Sequence, residues 1–195
     1  MATHEVTFPI TDEAEILKLK AGDEVVVQGH IVGIRDRTQI RIFDQGVEPP
    51  MDLSGAFLLH TAPGVRKRDD GGYDPVCIGT TTSARMVRFT EALGQDYGVR
   101  AICGKGGLPD DAIEPMRRLG MVYFAIVGGA AALETTQIEA IEEVEWEDLM
   151  PVCLWKFRVK DFGPLTVGID SHGGSLYHDV QAEAHRRLED IYAKL

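Results

Sequence analysis

From Pro75 onward, three short apolar runs, PVCIG, VRAICG and MVYFAIVGG, alternate with helical stretches, SARMVRFTEALGQDYG, PDDAIEPMRRLG and AAALETTQ. Strands separated by helices of roughly 10 to 15 residues need crossover connections, so the stretch predicts a mainly parallel sheet. Further strands flank it: AGDEVVVQGHIVGI and SGAFLLHTAP before, IEAIEEVEW, VCLWKFRVKDFG and LTVGID after, read as an additional β layer. Residues 11–19 predict a short helix from a Thr or Asp cap, and RDRTQIRIFDQG another closed by Gly46. Residues 64–75, GVRKRDDGGYDP, carry charges, paired glycines and a closing proline, which predict an exposed loop. An amphipathic helix over about 178–195 ends the chain. The expected fold is α/β, one domain over residues 1–195, and a hydrophobic content of 44% is enough for its core.

Charge narrows the function. Thirty-one acidic against twenty basic residues leave a net charge of -11, which repels nucleic-acid phosphates and anionic lipid. No apolar run reaches the roughly 20 residues of a membrane helix, and MATHEVTFPI lacks the layout of a signal peptide, so a cytoplasmic location is expected. Cys77, Cys103 and Cys153 are widely spaced among apolar residues, without a C-x-x-C pair. They read as reduced core residues, and this chain is expected to hold no metal cluster. The six histidines show no metal-ligand spacing, and none is assigned to catalysis; His172, in DSHGGS, reads as a turn residue. Ser83 lies outside any G-x-S-x-G elbow, and Trp146 and Trp155 read as core or interface residues.

Three glycine-bearing turns follow apolar strands: IGTTTSAR, ICGKGGLP and IVGGAAAL. Ligands of open α/β folds bind at the carboxyl ends of strands, where backbone amides point outward, so the turns suggest one anion site. None matches the phosphate loop or the dinucleotide fingerprint. A threonine run suits helix entry, where hydroxyls cap orphan amides. A cation such as Arg85 opposes the macrodipole there, which calls for an anion between them. Thr81 and Arg85 are four apart, hence on one helical face, and Lys105 is embedded in glycines that let a backbone approach a ligand. Arg35 stands at a strand end before Asp36. The plain alternatives are a cap with a surface arginine, an ordinary turn, and a surface pair worth under ~1 kcal/mol.

Six ordered blocks, AGDEVVVQGHIVGIRD, HTAP, GTTTSARM, GKGGL, VGGAAAL and LWKFRVKDFGPLTVGIDSHGGSLY, resemble the β subunit, or C-terminal domain, of the iron-sulfur hydro-lyases. These comprise class I fumarases and L(+)-tartrate dehydratases, and the resemblance runs from about residue 5 to residue 178. It implies a swivelling β/β/α domain and reversible hydration of a C4 dicarboxylate. It assigns substrate binding to Arg35, Arg85, Lys105, Thr82 and Gly106, and catalysis to Thr81. It also implies a [4Fe-4S] cluster held by a partner α subunit, none bound by this chain, an α2β2 assembly, and a homodimer when the chain is isolated. Two positions depart from the family pattern: Thr80 replaces the proline of G-P-T-T, and Gln39 replaces a histidine. The FGPL and DSHG wording is similar to free-standing β subunits. The alternative is a non-catalytic dicarboxylate-binding or assembly protein that keeps the fold.

Overall fold

In the computed structural model, which describes residues 1–128 and 131–194, apolar alternation along the central strands sets the architecture. The chain begins with β1 (Thr3–Phe8), α1 (Ala14–Leu17), β2 (Glu24–Ile34), α2 (Asp36–Phe43) and β3 (Phe57–His60). Next come β4 (Gly64–Lys67), β5 (Tyr73–Cys77), α3 (Thr90–Tyr97), β6 (Ala101–Gly104), α4 (Ile113–Leu119) and β7 (Val122–Ala125). It ends with α5 (Ala132–Thr135), β8 (Ile138–Glu145), β9 (Leu154–Ile169) and α6 (Leu176–Tyr192).

The main sheet runs β1-β2-β3-β6-β7-β9-β8. The pairs β1–β2, β2–β3, β3–β6 and β6–β7 are parallel, as predicted. The long strand β9 runs antiparallel to β7, β8 and also β2, so β2, β3, β6, β7 and β9 close into a ring. Period-two alternation divides the core. Phe57, Leu59, Ala101, Cys103, Val122 and Phe124 pack with Phe8, Trp155, Phe157 and Phe162 on one side. Leu58, Ile102 and Tyr123 pack on the other with Met86, Phe89, Leu93 and Met116 from the helical layer. Strands covered on both faces must be apolar throughout, which is why these runs lack the polar alternation of a solvated sheet.

Several expectations are corrected. Residues 64–75 are not a loop: β4 and β5 form a hairpin with Lys67 opposite Tyr73 and Arg66 opposite Asp74. Val65 and Tyr73 anchor it to the core; the Tyr73 ring meets Trp155 edge-on at 5.7 Å and its hydroxyl donates to Glu147 at 2.7 Å. PVCIG therefore belongs to the hairpin and not to the parallel sheet, and Cys77 is exposed rather than core. Cys103 and Cys153 are buried as expected, and burial pushes the Cys153 thiol up to about 12. VCLWKFRVKDFG and LTVGID are one continuous strand. The helix expected from Ser83 to Gly98 opens as a 3-10 segment over Ala84–Phe89 and becomes α-helical only at Thr90, ending at Gly98 in the left-handed region. MATHEVTFPI supplies β1, paired to β2.

Candidate functional site

The parallel register brings Ile34 beside His60, Leu59 beside Cys103, and Gly104 beside Ala125. The residues just past these strand ends, Arg35, Thr61, Lys105 and Ile126, therefore share one edge. With strands about 4.8 Å apart, the Arg35 and Lys105 backbones stand about 10 Å apart, two strands over. Thr38 fixes Arg35 at the start of α2 by accepting from its backbone N–H at 2.8 Å and donating to its carbonyl at 2.7 Å.

The threonine segment is laid across this edge. Gly79 turns the chain into it with φ of 59°, where a Cβ would lie 2.2 Å from the Ala62 carbonyl oxygen, so only glycine fits. The Thr81 N–H donates to the His60 carbonyl at 2.9 Å, Lys105 N–H to the Thr81 carbonyl at 3.0 Å, and Ser83 N–H to the Lys105 carbonyl at 3.1 Å. Thr82 bridges to Lys105 within this ladder. Thr80 Oγ1 donates to the Val127 carbonyl at 2.9 Å, which ties in the third glycine turn. The Lys105 stem packs over Gly128, where an added Cβ would stand 2.8 Å from Lys105 Cδ. The centre of VGGAAAL, residues 129 and 130, lies outside the described residues. The three turns thus meet as the sequence suggested, but the threonines do not cap a helix: Ser83 stands at the cap, without a side-chain cap bond. Thr81 lies ahead of the helix rather than on its face, and Arg85 reaches back, its Nη2 donating to Thr81 Oγ1 at 2.8 Å.

Arg85, Lys105 and Gly106 are exposed, Arg35 and Thr82 are half-buried, and Thr81 is buried except for 8% of its surface. Among the described residues neither Arg85 nor Lys105 has an acidic partner within ion-pair distance. Cations elsewhere in this acidic chain do have them, as in Arg41–Asp148, Arg88–Asp44 and Arg117–Glu114. Arg35 touches Asp36 at 3.3 Å, yet its Nε is buried without a hydrogen bond. An edge carrying cations that lack acidic partners beside a hydroxyl is suited to carboxylates, which accept forked hydrogen bonds from arginine.

Behind the edge stand residues that sequence reasoning left out of the site. His60 is 1% exposed, and burial pushes its imidazole down to about 3. Its Nδ1 lies 2.9 Å from Ser83 Oγ, and the Tyr123 hydroxyl lies 3.0 Å from that same oxygen. The hydroxyls of Tyr123 and Tyr177 lie 2.7 Å and 2.9 Å from the Gly106 carbonyl oxygen. Gly104 leaves room for this cluster: a Cβ there would sit 2.0 Å from Ser83 Oγ. The available signal was the single polar residue of FLLH, on the face that Leu58 shares with Ile102 and Tyr123. His172 is the turn residue expected, its N–H donating to Asp170 at 2.9 Å. A separate depression of 440 Å³ among His30, Asp52 and Lys156 gathers none of the site residues.

The chain matches the Fumarase C-terminus family over residues 2–180. It is 38% identical over 172 residues to the L(+)-tartrate dehydratase subunit beta of Escherichia coli strain K12, covering 88% of this chain and 85% of that protein. A Methanocaldococcus jannaschii protein, named provisionally as an L(+)-tartrate dehydratase subunit beta, is 34% identical over 96% of this chain and 98% of its own length. A Geobacillus stearothermophilus protein, named provisionally as a class I fumarate hydratase, is 35% identical over 94% of this chain, which spans 35% of that protein. Ordered motifs, a mostly parallel sheet and this match over nearly the whole length agree: the chain belongs to the Fumarase C-terminus family.

Proposed function

We propose that this chain is the β subunit of a two-subunit hydro-lyase that adds water to, or removes it from, a C4 dicarboxylate, either fumarate and malate or L-tartrate. The observation that carries the reading is the hydrogen bond from Arg85 to Thr81 on the strand-end edge that also holds Lys105 and Arg35. Two carboxylates need at least two cations, and this edge offers three. Thr82 and Gly106 border the same ground, next to Lys105 in the bridge and in the chain. The ring of β2, β3, β6, β7 and β9 with helices packed on it supports reading the fold as the swivelling β/β/α type.

In the dehydration direction, Thr81, having lost its own hydroxyl proton to solvent, takes as an alkoxide the proton from the carbon beside a bound carboxylate and returns to a hydroxyl. A threonine hydroxyl is a weak base at its ordinary acidity, so the Arg85 guanidinium at 2.8 Å is assigned to stabilise its alkoxide. A [4Fe-4S] cluster on a partner α subunit would supply Lewis-acid chemistry for the leaving hydroxyl. The cysteines of this chain do not fit such a cluster: Cys103 and Cys153 are buried core thiols and Cys77 lies on the exposed hairpin. No group of three His, Cys, Asp or Glu among the described residues could hold a metal ion. The partner, its stoichiometry in an α2β2 assembly, and a cytoplasmic setting belong to this proposal.

The test is a steady-state assay of the chain reconstituted with its α subunit on malate, fumarate and L-tartrate. Turnover of one of these, absent from either subunit alone, is expected. Dicarboxylate binding without turnover would instead favour a non-catalytic binding or assembly protein.

A further inference from the structure

Beneath the threonine segment lies a file of buried polar groups that binding and proton abstraction leave unused. Gln39 Nε2 lies 3.4 Å from both His60 Nε2 and Met86 Sδ. His60 Nδ1 and the Tyr123 hydroxyl flank Ser83 Oγ at 2.9 Å and 3.0 Å. Gln39, His60, Ser83 and Tyr123 are all at most 1% exposed. A buried donor without an acceptor costs more than a hydrogen bond gains, so the protons follow from satisfying the donors. With its amide nitrogen toward His60 and Met86, Gln39 uses both N–H groups and leaves only Oε1 unpartnered, whereas the reversed amide would leave its N–H groups without these acceptors. His60 Nε2 then accepts and its Nδ1–H donates to Ser83. The Ser83 hydroxyl donates to Tyr123, and the Tyr123 hydroxyl donates to the Gly106 carbonyl at 2.7 Å.

We propose that His60 is a positioning residue for the candidate site. Held as the neutral Nδ1–H tautomer by Gln39, it acts through Ser83 and Tyr123 to keep the segment bearing Thr81 and Arg85 in register with the loop bearing Lys105. This rests on the dicarboxylate reading of that edge. Ser83 belongs to the first segment and donates its own N–H to Lys105 in the second, so the side-chain file and the backbone ladder fix the same junction. Burial opposes a charge on His60, against the pull of Asp36 on α2, and Gln39 is an amide that cannot titrate.

Two measurements test the role. In long-range proton–nitrogen NMR of the full chain, His60 should remain a neutral Nδ1–H imidazole from about pH 5 to about pH 8. An Nε2–H tautomer or an imidazolium in that range overturns the proposal. In the two-subunit assembly, His60→Leu should lower kcat at least ~tenfold with KM changed less than ~threefold, because the cations still bind while Thr81 loses its alignment. His60→Asn, whose amide N–H falls near the Nδ1 position, should recover most of that loss. Unchanged kcat in His60→Leu, with Lys105→Ala inactive, overturns the positioning role alone. If Lys105→Ala also keeps full activity, the site reading falls and the proposal falls with it.

Discussion

His60 is the residue at which the chemistry of the interior and the acid stability of the protein meet. Its folded imidazole stays neutral down to about 3, whereas the unfolded one takes a proton below its ordinary value of 6.5. Below that value the unfolded state binds more protons, so His60 makes stability fall as pH falls, until both forms are charged below about 3. Between pH 7 and pH 5 the effect amounts to about 2 kcal/mol, because each tenfold difference in proton affinity between the two states is worth ~1.4 kcal/mol. The carboxylates held below their usual range, Asp23 by the Ala2 backbone N–H and Asp44 by Arg88, also lose stabilisation on acidification, but below 3.8. Urea unfolding at the two pH values should show the loss in the native chain and a smaller one in a foldable His60→Asn variant. Equal losses in both would remove His60 as the cause.

At the scale of elements, the alternating strands and helices were legible because crossover length and apolar runs are local properties. The closure of β9 onto β2 was not, because an antiparallel partner more than a hundred residues away leaves no mark in either strand. The hairpin over residues 64–77 was hidden for a related reason: its charged sequence reads as a loop, and the packing of Val65 and Tyr73 onto the core, Tyr73 against Trp155, is a tertiary contact that the local sequence does not show. At the site, Thr81, Arg85, Lys105 and Arg35 could be picked from glycine turns and charge. Tyr123 and Tyr177 could not, because their role depends on which carbonyl the fold brings to them. The aromatic core joins β1, β3, β7 and β9: Phe57 stacks on Phe124 at 5.6 Å and meets Phe8 edge-on at 5.2 Å. Phe57→Ala should therefore cost ~3 to 5 kcal/mol by leaving a cavity among four strands. Chemical unfolding measures this, and a loss below ~1 kcal/mol would mean that the strands do not share one core.

Over the whole molecule, a net charge of -11 makes the strand-end edge unusual. Most of the surface repels a dicarboxylate, and the edge offers Arg85 and Lys105 without acidic partners among the described residues. The family match ends at residue 180, and beyond it α6 leaves Leu188, Ile191 and Tyr192 exposed to solvent. No described helix is long and apolar enough to cross a membrane. Arg35, Lys105 and Gly106 follow the parallel strands β2 and β6, Thr82 bridges to Lys105, and Arg85 sits on the 3-10 segment over Ala84–Phe89, so the sheet supports the candidate site. Arg85, poised on Thr81, is the group proposed to bind the carboxylate and activate the threonine at this edge. That role is tested most directly by kcat/KM of Arg85→Ala in the reconstituted two-subunit assembly. A fall of at least ~100-fold is expected, about 2.7 kcal/mol of transition-state stabilisation. A value within about threefold of the native assembly would contradict it.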